Sequence, residues 1–275
     1  MFLFGNRFGN NWNCNKRDFW YSINGARPRI WRKYLIYLKV CAYYDVAMAI
    51  IYGYPDAEKR LLDKLPKEVE SIDDIHEVHR EMKDQYDSMD RNGIVAKFRR
   101  WNKKRQINKI EENIDSPLYH GAKGKLKVLD KLSELSEDYH VFCDVYMELD
   151  HYVTYDGRRN FRSAQMDFVV VSYRGVVLIE AKNWSSRYIR QHDGLYPHEQ
   201  VDRAGRVLWI SLKSSWWSPR NPSVTSVLLS IRGNMEYDPD YKFVNIKDLK
   251  NINYFIQNRY EQFSDKEVER LVNRI

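Results

Sequence analysis

The chain has 275 residues, of which 43% are hydrophobic and 30% charged. That balance excludes a disordered or low-complexity protein and leaves room for one large core or two modest ones. Its formal net charge of +7 suits a polyanionic partner, although an ordinary basic protein would carry the same excess.

The first 25 or so residues are rich in Asn, Gly and aromatics and show no period. They lack the long apolar core of a signal peptide. From Ile30 to Ile51 apolar residues recur at helical spacing, and Gly53-Tyr54-Pro55 ends that helix. The stretch Val40 to Tyr54 is the best membrane candidate, but it is too short to span a bilayer and contains Asp45. It reads as a buried helix. Asp56 to Leu65 predicts a short helix stopped by Pro66. Lys67 to Met89 predicts a charged one with Val69, Ile72, Ile75, Val78 and Met82 as its apolar stripe. Asn92-Gly93 is a turn, and a further helix runs from Ile94 to about Glu112.

Asp115-Ser116-Pro117 marks the boundary between an all-helical domain over 1–115 and a second domain over 116–275. The second opens with a helix from Gly121 to Leu135 that turns Val128, Leu129, Leu132 and Leu135 inward. A strand follows from Tyr139 to Leu149, then a polar loop from Asp150 to Ser163. Met166 to Trp184 reads as a hairpin turning at Ser172-Tyr173-Arg174-Gly175. A helix starts near His198, with Val201, Ala204 and Leu208 on one face. Two strands, Ser223 to Ile231 and Tyr241 to Ile246, precede two terminal helices. The last of these starts at Ser264 with Glu267 three residues on, a capping box. This order implies an α/β core with a mixed sheet.

The hairpin carries the chemistry. Alternation puts Val176, Leu178, Glu180 and Lys182 on one face of its second strand, and Asp167, Val169 and Val171 on one face of the first. A turn at Ser172 to Gly175 sets Val171 against Val176, and the same register sets Asp167 against Glu180. Opposed carboxylates destabilise a sheet unless something positive compensates them. Lys182 is one candidate and a divalent cation the other. Two carboxylates suit a hard cation such as Mg²⁺, which activates water, and a nearby ammonium can steady the charge that develops on a phosphoryl group. The plainer alternative is a half-exposed hairpin whose charges face water.

The segments around Gly121 to Leu132, Arg162 to Ser186 and Tyr196 to Gln200 resemble the nuclease-related domain (NERD), a branch of the PD-(D/E)XK, restriction-endonuclease-like group. The similarity covers roughly Leu118 to Leu212. It implies a restriction-endonuclease-like core with a mixed central sheet. It further implies that Asp167 and Glu180 hold Mg²⁺ or Mn²⁺, that Lys182 positions water and stabilises the transition state, and that Gln200 sits near the nucleophile or phosphate. Gln200 reads equally well as an exposed helix-start residue. The chain departs from the family at Lys125, where the usual residue is Glu, and at Gln165, where it is acidic. A lysine cannot ligate a cation but could contact phosphate. Asp130 and Glu134 are acidic on the same helix, but no spacing argument makes either a replacement for the missing glutamate.

Other features are less pointed. Lys97, Arg99, Arg100, Lys103, Lys104, Arg105 and Lys109 surround Phe98 and Trp101. That helix could grip nucleic acid, or be a solvated face with its aromatics buried. His76 and His79 lie one helical turn apart, a spacing that suits a metal but is commoner in plain surface residues. Cys14, Cys41 and Cys143 fit neither a disulfide framework nor a zinc site. The default for Trp216 and Trp217 is buried packing. The expectation is therefore a cytoplasmic, metal-dependent nuclease acting on DNA, without a membrane partner. Its helical domain would bind substrate, a protein partner or a second copy. The alternative is a degenerate nuclease fold that binds nucleic acid or protein without cutting.

Overall fold

A computed structural model describes residues 48–155, 159–184, 196–213, 222–233 and 235–275. Most of the helix expected over Ile30 to Ile51, together with Cys14, Cys41, His192 and the Trp216-Trp217 pair, lies outside the described residues.

The described elements are β1 (Ile50–Tyr52), α1 (Asp56–Leu62), α2 (Ile75–Ser88), α3 (Ile94–Asn113), α4 (Pro117–Ser133), β2 (His140–Tyr155), β3 (Arg159–Ser172), β4 (Gly175–Lys182), α5 (Pro197–Lys213), β5 (Val224–Ser230), β6 (Val244–Asp248), α6 (Ile252–Gln257) and α7 (Asp265–Val272). The protein is an α/β fold built on one six-stranded mixed sheet in the order β1-β2-β3-β4-β5-β6. β2, β3 and β4 form an antiparallel meander. β1 joins β2 in parallel, and β5 and β6 extend β4 in parallel. Helices α1 to α4 precede the meander. Among the described residues no helix is long and apolar enough to cross a membrane.

The sheet's centre follows from its sequence. β3 and β4 hold the β-branched runs Val169-Val170-Val171 and Val176-Val177, all at most 2% exposed, which a strand covered on both faces requires. Val169, Val171, Val176 and Leu178 pack with Val207 and Leu208 of α5 and Leu271 of α7. Phe168, Val170, Val177 and Ile179 pack on the other face with Val128, Leu129 and Leu132 of α4 and Ile252 and Ile256 of α6. A third cluster joins α1 and the turns after it to Ile107 and Ile110 of α3 and to Tyr119 and Ala122 of α4.

Three elements differ from the sequence expectation. Ile50–Tyr52 are a strand rather than a helix end, because they pair in parallel with His140 to Phe142. The helix expected from Lys67 starts only at Ile75. Val69 and Ile72 are buried in turns instead, where the Ile72 N–H donates to the Glu58 carboxylate at 3.2 Å. The loop expected over Asp150 to Ser163 is a paired ribbon: Val153 faces Phe161, Thr154 faces Asn160 and Tyr155 faces Arg159, beyond a register shift between Glu148 and Val153.

Helix α4 is capped by the Ser116 hydroxyl, which accepts from the Tyr119 N–H at 3.1 Å, and starts on Pro117. Its Gly124 lies against the residues that follow β4 and β5. A Cβ there would stand 2.7 Å from the Asn183 Cβ and 3.0 Å from the Ile231 Cδ1. Gly121, one turn earlier, would meet nothing within 4 Å. Gly124→Ala should therefore lower stability by about 1–3 kcal/mol through overpacking. Gly121→Ala should raise it by about 0.5–1 kcal/mol through helix propensity. Urea unfolding of the two variants beside the wild type checks both signs.

Candidate functional site

The hairpin register is fixed by a two-residue turn. Ser172 faces Gly175, which sits at φ +116°, a backbone region that glycine enters without a Cβ penalty. The pairing then continues through Val171 with Val176 to Phe168 with Ile179, so the next residues, Asp167 and Glu180, stand side by side. The same logic operates on the other side of β3. Cys143 faces Phe168 and Val145 faces Met166, which leaves Asp144 opposite Asp167. Three carboxylates, Asp144, Asp167 and Glu180, thus form a row across β2, β3 and β4. Asp144 was not among the residues singled out from the sequence.

All three are largely withdrawn from solvent, with side chains 9%, 8% and 6% exposed. Two lysines compensate them. The Lys182 ammonium donates to the Glu180 carboxylate at 2.8 Å and to the Gln200 side-chain carbonyl at 2.8 Å. The Gln200 amide donates to the same Glu180 oxygen at 2.7 Å, closing a three-membered ring between the end of β4 and the start of α5. The Lys182 ammonium also lies 5.5 Å from the centroid of the Trp184 ring. The Lys125 ammonium, from α4, stands 2.6 Å from Asp167 and 2.9 Å from Asp144. The second Asp167 oxygen accepts the Ala181 N–H at 2.9 Å. Asp144 is bound on every side: its carboxylate also accepts the Asp56 N–H, and its carbonyl accepts from the Gln165 amide at 2.9 Å. Its backbone is left-handed, at φ +50°, a conformation Asp tolerates better than most residues.

These surroundings set the charge states. Burial, reinforced by the neighbouring Asp167, pushes the Glu180 carboxyl up to about 7, against the pull of Lys182 and Lys125. Burial works against the Lys125 ammonium, but Asp167 and Asp144 outweigh it and raise its pKa to about 12. Lys125 is thus a permanent cation at neutral pH. Glu180 holds its proton more tightly than a free carboxyl, first because it is buried and then because Asp167 lies beside it.

Of the residues singled out from the sequence, Asp167, Glu180, Lys182, Gln200 and Lys125 come together here. Gln200 is bound into the centre rather than exposed at the start of its helix. The basic residues of α3 form a separate surface. Phe98 and Trp101 are 60% and 56% exposed and stack with centroids 5.9 Å apart, which overturns the alternative that these aromatics are buried. Arg99, Lys104 and Arg105 are exposed and Lys103 is half-buried. Arg100 is engaged elsewhere: it donates to the Tyr86 and Met89 carbonyls at 2.7 and 3.1 Å and covers the Tyr86 ring. His76 and His79 do not act as a pair, since the first meets the Tyr119 hydroxyl and the second meets Glu111, each at 3.3 Å.

The site is a row of three carboxylates and two lysines across the meander of a mixed α/β sheet. The chain contains a nuclease-related domain (NERD): that family's model matches residues 120–228, from α4 through β5. No curated protein and no solved structure matches the chain.

The charge states make a test of the site by itself. A carboxyl whose pKa is raised on folding contributes stability that is fully present below its unfolded pKa, near 4.5, and lost as pH rises through the folded value. In chelator, the wild type should lose on the order of 1–3 kcal/mol relative to Glu180→Gln between pH 5 and pH 8. Urea unfolding of both proteins across that range measures it.

Proposed function

We propose that this domain hydrolyses phosphodiester bonds, with DNA as the substrate. The observation that carries the reading is the convergence of Glu180, Lys182 and Gln200 within 2.8 Å of one another, beside Asp167, on a nuclease-related domain. The donor set fits a divalent cation. Mg²⁺ and Mn²⁺ take oxygen ligands and are commonly held by one or two carboxylates completed by water and substrate phosphate. Among the described residues no group of three or more His, Cys, Asp or Glu is placed to hold a metal ion; Asp167 and Glu180 would hold it as a pair, with water and substrate phosphate completing its shell. When bound, the ion would supply an acidified water and charge neutralisation at the phosphoryl oxygen.

The protein's own groups do the rest. Asp167 is oriented by the Ala181 N–H. Lys182 and Gln200 hold one Glu180 oxygen between them, which leaves the other to face an ion or a water. The Lys182 ammonium has a third N–H with which to steady an attacking water or the charge on a pentacoordinate phosphorus. On α3, the stacked Phe98 and Trp101 among Arg99, Lys103, Lys104 and Arg105 offer a base-stacking, phosphate-pairing surface that would carry single-stranded or opened DNA.

A second reading has its own observation. Lys125 already neutralises Asp167 at 2.6 Å, as a degenerate fold that binds without cutting would have it. One experiment separates the two readings. Supercoiled plasmid is incubated with Mg²⁺, Mn²⁺ or chelator, beside oligonucleotide binding by fluorescence anisotropy at fixed salt. The proposed nuclease nicks only with metal and loses about 10²-fold or more in rate on Asp167→Ala or Lys182→Ala. Phe98→Ala with Trp101→Ala weakens binding roughly tenfold or more. DNA bound equally well in chelator, with no cutting under any condition, would establish the degenerate module instead.

A further inference from the structure

Lys125 occupies the α4 position at which the family resemblance implies a carboxylate, and the structure accounts for its charge. The ammonium does not point to solvent, as a lysine awaiting a phosphate would. Its side chain is 15% exposed, and its Nζ is bound at 2.6 Å to Asp167 and at 2.9 Å to Asp144. Asp144 is in turn locked by the Asp56 N–H, by Gln165 and by its place in the row opposite Asp167. The close approach of α4 at Gly124 fixes where the lysine stem begins. The ammonium charge sits between two carboxylates, where a cation gains most and where a second cation would be repelled.

We infer that Lys125 is a resident cation of the centre: pinned by Asp144, it neutralises Asp167 in place of a metal ion. Divalent metal then has only the remaining space between Asp167 and Glu180, and binds there weakly. Asp144 plays the part that a helix carboxylate would otherwise have, but through the lysine rather than as a ligand. The inference rests on the reading of Asp167 and Glu180 as metal ligands, and its test is read by metal binding rather than by cleavage.

The full chain is titrated with Mn²⁺, following the free ion by electron paramagnetic resonance and the bound ion by calorimetry. The wild type is compared with Lys125→Glu, with the charge-balanced double variant Lys125→Met/Asp144→Asn, and with Asp167→Ala. The expected result is weak binding by the wild type, tightened at least about tenfold in both Lys125 variants and abolished in Asp167→Ala. Mn²⁺ should also raise the melting temperature of the Lys125 variants more than that of the wild type, because ligand binding to the folded state adds to its stability. Lys125→Glu places a fourth carboxylate in the row; if it does not fold, the double variant, which keeps the local charge count, decides. Equal affinity in the wild type and the double variant would overturn the resident cation while leaving the carboxylates as ligands. Mn²⁺ bound by none of the proteins would overturn both, since removing the lysine would have opened no place for an ion.

Discussion

Asp167 and Glu180 are forced together by the backbone. The two-residue turn at Tyr173-Arg174, which pairs Ser172 with Gly175, sets the register of the β3–β4 hairpin. With that register set, two carboxylates must stand side by side at the end of a sheet whose faces are both covered. The rest of the centre answers this constraint. Lys182 and Gln200 bind Glu180, Lys125 binds Asp167, and Asp144 shares the second lysine. Two lysines and one amide thus compensate three carboxylates in part, without returning them to water.

Each partner reaches the row from a different element, so the fold has to deliver them. α5 packs through Val207 and Leu208 on one face of the sheet and presents Gln200 from its first turn. α4 packs through Val128, Leu129 and Leu132 on the other face, and comes close enough at Gly124 to place Lys125 beside Asp167. β2 supplies Asp144 through a single left-handed residue. The charge that remains is uneven: the Asp167 side is closed by a permanent cation, while burial and the neighbouring Asp167 raise the affinity of Glu180 for a proton. A centre of that kind favours a cation at one end only.

The hairpin was legible in the sequence because its two apolar runs flank a short turn, and the turn assumed at Ser172 to Gly175 is the one that forms. The register predicted from them places Asp167 against Glu180, as the structure does. α4 and α5 were legible through helical period, although the expected start at Gly121 misses the first turn of α4, which begins at Pro117 behind the Ser116 cap. Asp144 was not legible. Its position opposite Asp167 depends on the β2–β3 register, and that register is set beyond Leu149 by a ribbon interrupted between Glu148 and Val153. Polar residues over Asp150 to Ser163 look like a loop, because Val153 and Phe161 are the only large aliphatic or Phe side chains with which this stretch of the ribbon marks its inner face. β1 was missed for another reason: three residues cannot display a period, and they continue an apolar pattern that reads as helix. The exposure of Phe98 and Trp101 could not be read either, since aromatics at helical spacing fit a buried stripe equally well.

The most direct measurement of how this row of charges is neutralised is anomalous scattering at the manganese edge from crystals of the full chain soaked in Mn²⁺. The expected map has one peak, in contact with Asp167 and Glu180, with the Lys125 ammonium still lying between Asp144 and Asp167. A peak between Asp144 and Asp167 with the lysine displaced, or no peak near the row at all, would contradict the account.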